Sequence, residues 1–153
     1  MENIEKHFCV TTYVLDTKSD KFIFVRHKKL QKWFPAGGHV ELNESPDDAA
    51  KREVWEETGI KNLKFIEPEF IDNYKIDNLL IRPFGIQLNK VKDNHYHFDL
   101  IYFATVDGAD LILNEKESEG IEEFSLEEIL SPDFDTFENQ RQWCKYFKEY
   151  VKK

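Results

Sequence analysis

Apolar, β-branched and aromatic residues gather in short runs separated by polar turns, the pattern of strands. Residues 8–15 form the first run and 22–26 the second, joined as a hairpin across the polar turn at 16–20. Residues 1–6 read as a frayed lead-in and 27–31 as a basic loop. A further strand is expected at 63–70, interrupted by Pro68. Residues 79–88 are apolar and strand-like, with Pro83 marking an edge, a bend or a bulge. A polar turn at 91–94 follows. Residues 98–106, FDLIYFATV, are almost wholly apolar and predict a central strand that stops at Asp107-Gly108. A short strand at 120–124 closes the set.

Three stretches carry helical signals. Ser45 suits an N-cap, Pro46 fits N1, and Asp47 and Asp48 fill the first turn, with Asp48 at N3 completing a capping box. Thr58-Gly59 supplies the stop, with Gly59 at C′. Ala50 and Val54, joined by Ala49, face the core. Ser125 caps a one-turn helix with Glu128 at N3 in a second capping box; Leu126, Ile129 and Leu130 form its apolar face, and Ser131-Pro132 ends it. Residues 137–151 form the last helix. Phe137, Arg141, Cys144, Phe147 and Val151 recur there at helical spacing, flanked by Trp143 and Tyr150. That face is expected to cover the sheet, since the helix lacks the basic bias of a membrane-surface helix. Strands before and after a helix, with a second long helix at the end, predict an α/β layered fold: a mixed sheet between helices.

Length changes the picture little: 153 residues make one domain, 1–153, large enough for a real core. Charge excludes more. A net charge of −9 does not draw in nucleic acid, and the only basic run is RHKK at 26–29. Extended duplex binding is therefore excluded, whereas a nucleotide or the end of an RNA stays compatible. The N-terminal stretch has no long apolar run, so neither a signal peptide nor a membrane span is expected. Cys9 and Cys144 form no disulfide framework and read as small core residues in a reducing, cytoplasmic setting.

The candidate chemistry lies at 37–60, GGHVELNESPDDAAKREVWEETGI. Glu53 and Glu57 are four apart and Glu56 lies three from Glu53, so all three converge near one stripe of the helix. Close carboxylates repel and raise one another's pKa unless a cation intervenes, and a hard cation such as Mg²⁺ or Mn²⁺ takes such oxygen ligands. By physics alone an acidic surface helix stands equally open. Arg52 precedes Glu53 and lies four before Glu56, close enough to pair with an acid.

The segment resembles the signature of the Nudix (MutT-like) hydrolases at every fixed position: Gly38, Glu44, Arg52, Glu53, Val54, Glu56, Glu57, Gly59 and Ile60. The motif spans 23 of 153 residues, and the surrounding length and strand order are also similar to a complete Nudix domain. The resemblance implies an α/β/α sandwich and Mg²⁺-dependent hydrolysis of a pyrophosphate bond in a nucleoside diphosphate linked to another moiety, with Mn²⁺ able to substitute. It implies that Glu53, Glu56 and Glu57 hold metal, with a backbone carbonyl at Gly37, and that Glu53 is alternatively an orienter or base. It implies that Glu44 and Arg52 pair and brace the loop against the helix. A (d)NTP or related small nucleotide is the first substrate class. The 5′ end of RNA, ADP-ribose and dinucleoside polyphosphates are alternatives, as is a non-catalytic nucleotide-binding module. The family also allows a homodimer.

Outside the motif, Asp99 interrupts an apolar strand. It is read either as a hydrogen-bonded strand acid or, by the resemblance, as a further carboxylate facing the metal, with Glu117, Glu119 and Glu122 as rivals. His95 and His97 fall on one face of a strand. Two histidines with no cysteine or third histidine nearby in sequence are too few for a closed zinc site, so they are candidates for substrate contact, with His39 and Arg26. Trp33, Phe34, Phe70, Tyr74 and Phe84 are candidates for base stacking, Tyr74 foremost because it lies in a polar stretch.

Overall fold

A computed structural model describes residues 3–69 and 75–153. Two long strands form its axis, β1 (Glu5–Asp16) and β7 (His95–Val106). They run parallel in unbroken register from Glu5↔His95 to Asp16↔Val106. On its outer side β1 is shared. Its end forms the expected hairpin with β2 (Lys21–His27), and its middle, from Cys9 to Thr12, pairs with β4 (Ala36–His39). β7 is shared in the same way, by β6 (Gly85–Lys92) along its first half and β5 (Lys64–Ile66) along its second. β3 (Lys32–Phe34) and β8 (Ser118–Phe124) both pair with β2, completing a mixed sheet of eight strands among the described residues.

Alternation along the axial strands builds two cores. Tyr13, Leu15, Ile101 and Phe103 face one side with Phe22 and Phe24. There they pack on Ile129 of α2 (Leu126–Leu130) and on Cys144 and Phe147 of α3 (Glu138–Val151). Val10, Val14, Tyr102 and Val106 face the other side, against Ala49, Ala50 and Val54 of α1 (Pro46–Thr58). The expected sandwich of a mixed sheet between helices is the fold observed. Both cysteines are free and buried. No helix among the described residues is long and apolar enough to cross a membrane.

Several local expectations change. The strand expected at 63–70 is confined, among the described residues, to Lys64–Ile66. The N-terminus is ordered into the sheet from Glu5, whose N–H donates to Asn94 O at 2.7 Å. The strand expected at 79–88 begins only at Gly85: Pro83 has no N–H for the ladder, and the first bond to β7 comes from Phe84, whose N–H meets Ile101 O at 2.7 Å. The central strand starts at His95, so the histidine pair belongs to it. On α3, Phe137 and Val151 are exposed while Cys144 and Phe147 are buried. Arg141 works through its guanidinium, donating to the carbonyls of Ile129 (3.0 Å) and Thr136 (3.2 Å) and so tying α2 to α3.

Candidate active site

α1 is placed by its caps and by small residues. Ser45 Oγ accepts the Asp48 N–H at 3.4 Å. The expected capping box is only half made: Asp48 Oδ2 meets the Ser45 hydroxyl at 2.9 Å, not the Ser45 backbone N–H. Aspartate is one methylene short for that reach; in α2, Glu128 spans it and accepts the Ser125 N–H at 2.7 Å. Gly59 ends α1 in the left-handed region at φ 78°. Ala49 and Ala50 are fully buried and let the helix lie close on the sheet. Glu53 and Glu57 are thereby pressed against β4. A Cβ on Gly38 would stand 2.3 Å from Glu53 Oε1, so only glycine leaves room for that carboxylate. The Gly37 N–H donates to Glu57 Oε1 at 2.9 Å.

Arg52 is the hub of this acidic surface. Its Nη2 lies 2.6 Å from Glu44 Oε1 and 3.0 Å from the His39 carbonyl, and its Nε lies 2.9 Å from Glu44 Oε2. Its Nη1 reaches Glu53 Oε1 at 2.9 Å and Glu56 Oε2 at 3.1 Å. One guanidinium thus joins the 41–45 loop, β4 and two acids of the helix. Burial pushes the Glu53 carboxyl up to about 7 despite Arg52, with Glu56 and Glu117 adding to the rise. Burial pushes Glu57 up to about 8, offset by the Gly37 N–H and reinforced by Glu53, Glu117 and Glu56. Anionic oxygens crowded into one place with a single shared arginine are a donor set suited to a hard divalent cation.

These acids line a cleft of about 680 Å³ together with Gly37, Gly38, His39 and Glu117; His39 offers its carbonyl to Arg52 on this side while its ring lies beside His97. Lys28, Lys29 and Lys116 line it too. Sequence reasoning missed these lysines and Asn114; the RHKK run was the available signal for Lys28 and Lys29 alone. Strand parity separates Arg26 from His27 within that run. Arg26 shares a face with Phe22 and Phe24 and points away from α1; it pairs with Glu119 at 3.4 Å and stacks over Trp33 at 5.7 Å. His27 lies on the opposite face and lines the cleft.

The same parity sorts the extra acids. Asp99 sits on the face of Ile101 and Phe103, across the sheet from α1. There its carboxylate accepts from Thr11 Oγ1 at 2.8 and 2.9 Å, and burial raises its pKa to about 6. That is the hydrogen-bonded strand acid of the two readings. Glu119 is taken by Arg26, and Glu122 stands exposed on β8 opposite Phe24. Of the four, only Glu117 reaches the cleft. His95 and His97 lie on the Asp99 face and do not line it. Of the stacking candidates, Trp33 and Phe84 pack against the α3-side core and Phe34 packs on Phe137. Phe70 and Tyr74 lie outside the described residues.

A family model for the NUDIX domain matches residues 5–147, and the chain belongs to the Nudix family. A protein of Lactococcus lactis subsp. cremoris, described as a probable DHNTP pyrophosphohydrolase, is 37% identical over 102 residues. The match takes in 67% of this chain and 52% of that protein, so the chain spans about half the length of the curated relative it matches. A Nudix-family hydrolase from Clostridium perfringens superposes with a TM-score of 0.78 at 28% identity, over 99% of each chain. The fold is also that of the MutT protein from Methanosarcina mazei Go1, with a TM-score of 0.72 at 22% identity over the whole of both chains. A Caenorhabditis elegans Ap4A hydrolase shares it too, with a TM-score of 0.69 at 19% identity over 97% of this chain and 98% of that one. The family generally uses a divalent metal such as Mg²⁺.

Proposed function

We propose that this protein hydrolyses a pyrophosphate bond in a nucleoside diphosphate joined to a further moiety, with Mg²⁺ as its metal and a (d)NTP or related small nucleotide as substrate. One observation carries the reading: a single cleft holds Glu53, Glu56, Glu57 and Glu117 together with Lys28, Lys29 and Lys116. Acids alone would repel a polyphosphate, and lysines alone would bind it without chemistry.

Glu53, Glu56 and Glu57 are the side chains that would hold Mg²⁺, with the Gly37 carbonyl, and Mn²⁺ can take its place. Mg²⁺ held there supplies Lewis-acid polarisation of a phosphoryl oxygen and a water of lowered pKa. The chain's own residues do the rest. Lys28, Lys29 and Lys116 orient the polyphosphate by charge. The Gly37 N–H fixes one oxygen of Glu57. Arg52, anchored on Glu44, holds the carboxylates at their positions. Glu117 enters from outside the helix and is a cleft acid available to take a proton from water.

The test is product release, with Mg²⁺ and then Mn²⁺, from a panel of pyrophosphate compounds. DHNTP and Ap4A join it because relatives are named for them, and ADP-ribose because a Nudix domain of Shewanella oneidensis NrtR is described in complex with it. Nucleoside triphosphates and 5′-triphosphate RNA complete it. Turnover of a small nucleotide that is lost in Glu57→Gln supports the reading. Nucleotide binding without release of any product would replace it with a binding module.

A further inference from the structure

Four of the chain's five histidines, His7, His39, His95 and His97, meet at one place on the sheet face opposite α1. They come from three strands. Glu5, His7 and Cys9 occupy alternate positions of β1; His95 and His97 stand in register with Glu5 and His7 on β7; His39 stands in register with Cys9 on β4. Neighbours in sequence do not announce such a set, since its parts lie at 5–9, 39 and 95–97.

The nitrogens face one another. His39 Nε2 lies 3.3 Å from His97 Nε2, and His97 Nε2 lies 3.1 Å from His95 Nε2. One atom of Cys9, His39 and His97 each lies within 4.8 Å of the other two. Ligands at the bond lengths of a tetrahedral zinc ion stand roughly 3.3 Å apart for two nitrogens and about 3.6 Å for nitrogen and sulfur. The His39–His97 and His97–His95 spacings already match, the sulfur must close by at most about an ångström, and His95, which groups within that limit with Glu5 and His7, must turn towards the other three to complete four ligands.

The protonation pattern of the metal-free cluster is awkward. His97 Nε2 carries either one proton or one lone pair, yet it faces two imidazole nitrogens. Besides this, His95 Nδ1 is buried without a hydrogen-bond partner. Its nearest anion is Glu5 Oε2 at 3.6 Å. An imidazole that ligates through one nitrogen and turns its other N–H towards a carboxylate is the usual arrangement behind a metal ligand. His95 and Glu5 stand in that relation if Nε2 is the ligand atom.

We propose that His39, His95, His97 and Cys9 form a second metal site for a borderline divalent ion of the zinc class, with Glu5 orienting His95. It is separate in chemistry from the α1 acids: nitrogen and sulfur donors select zinc-class ions, and carboxylates select Mg²⁺. Its position gives it a structural task. It staples the start of β1 to β4 and β7, and β4 also carries Gly37, Gly38 and the His39 carbonyl on which Arg52 rests. An ion held here steadies the strand against which Glu53 and Glu57 lie.

The probe is Co²⁺ alone, titrated into Glu57→Gln protein in excess Mg²⁺ so that the α1 acids do not contribute, and followed by absorption, with Zn²⁺ as competitor. The expected result is the spectrum of four-coordinate Co²⁺ with a thiolate charge-transfer band, displaced by Zn²⁺. Cys9→Ser should remove the charge-transfer band, and His97→Ala the whole saturable spectrum. Glu5→Gln should weaken binding by about tenfold. His39→Gln, at an exposed residue, repeats the loss where His97→Ala fails to fold. A six-coordinate spectrum, or one unchanged in the His97 and His39 variants, overturns the proposal.

Discussion

Arg52 clasps Glu44 in a two-pronged contact, Nη2 to Oε1 at 2.6 Å and Nε to Oε2 at 2.9 Å, and carries the same guanidinium on to Glu53 and Glu56. The Arg52 hydrogen bonds hold the Glu44 carboxyl below its ordinary pKa. The pair fixes the loop before α1 to the acids along it. Glu44→Gln keeps the size of the side chain and loses the charge. Its kcat should fall about 10- to 100-fold, the cost usual for removing a group that orients metal ligands, with KM little changed. Arg52→Lys should do at least as much harm, because a lysine has no planar fork to bridge these partners. Steady-state kinetics with a Mg²⁺ titration checks both; full activity in either variant would remove the bracing role.

Gly38 gives a sharper steric test. A methyl group there would lie 2.3 Å from Glu53 Oε1 and 2.6 Å from its carboxyl carbon. Gly38→Ala should push Glu53 off its position while leaving both cores untouched. A displacement of about 1 Å at a catalytic group costs on the order of 100-fold in rate. Near-normal melting with lost turnover is the expected signature, read by calorimetry beside the assay.

The acids of α1 should make metal-free stability depend on pH. Burial pushes the Glu57 carboxyl up to about 8 and the Glu53 carboxyl up to about 7 in the folded protein, against 4.5 ordinarily. Folded values above the unfolded ones mean that the unfolded chain gives up these protons first. The stabilisation is complete below about pH 4.5, the ordinary carboxyl value, and is lost as pH rises through 7 and 8. Under the proposed function Mg²⁺ would bind the ionised form, so the Tm gain it brings should grow over the same interval. Thermal melts from pH 5 to 9, with and without Mg²⁺, test this; a Glu57→Gln protein with the wild-type pH slope would contradict it.

Asp16 behaves in the opposite sense. It is buried where β1 ends and accepts N–H groups from Lys18 (2.9 Å), Gly108 (2.9 Å) and Ala109 (3.0 Å). Burial alone would raise its pKa, but these bonds outweigh it and hold the group below its ordinary value. The stability it contributes is therefore present above the unfolded pKa of about 3.9 and lost as pH falls through the lower folded value. Asp16→Ala leaves three N–H groups without their acceptor and should cost about 1–3 kcal/mol at neutral pH. Urea unfolding at pH 7 and pH 3 should show that difference shrinking in acid.

Local chemistry accounts for what was legible in the chain. The caps at Ser45, Gly59 and Ser125, the apolar run of 98–106 and the spacing of Glu53, Glu56 and Glu57 all depend on residues within a few positions of one another, so pattern alone determined the acidic helix α1, the axial strand β7 and the layered fold. Strand parity was also available: Arg26 shares a face with Phe22 and Phe24, and Asp99 with Ile101 and Phe103. Both residues could have been assigned to the α3 side had the side of α1 been known. Only the tertiary structure decided that side, because it depends on which face of a two-sided apolar sheet each helix covers. It alone brought Lys116 and Glu117 beside the α1 acids, across a loop with no periodicity to read. It alone gathered His7, His39, His95 and His97, since the parallel pairing of β1 with β7 joins residues some ninety positions apart and no local signal specifies such a register.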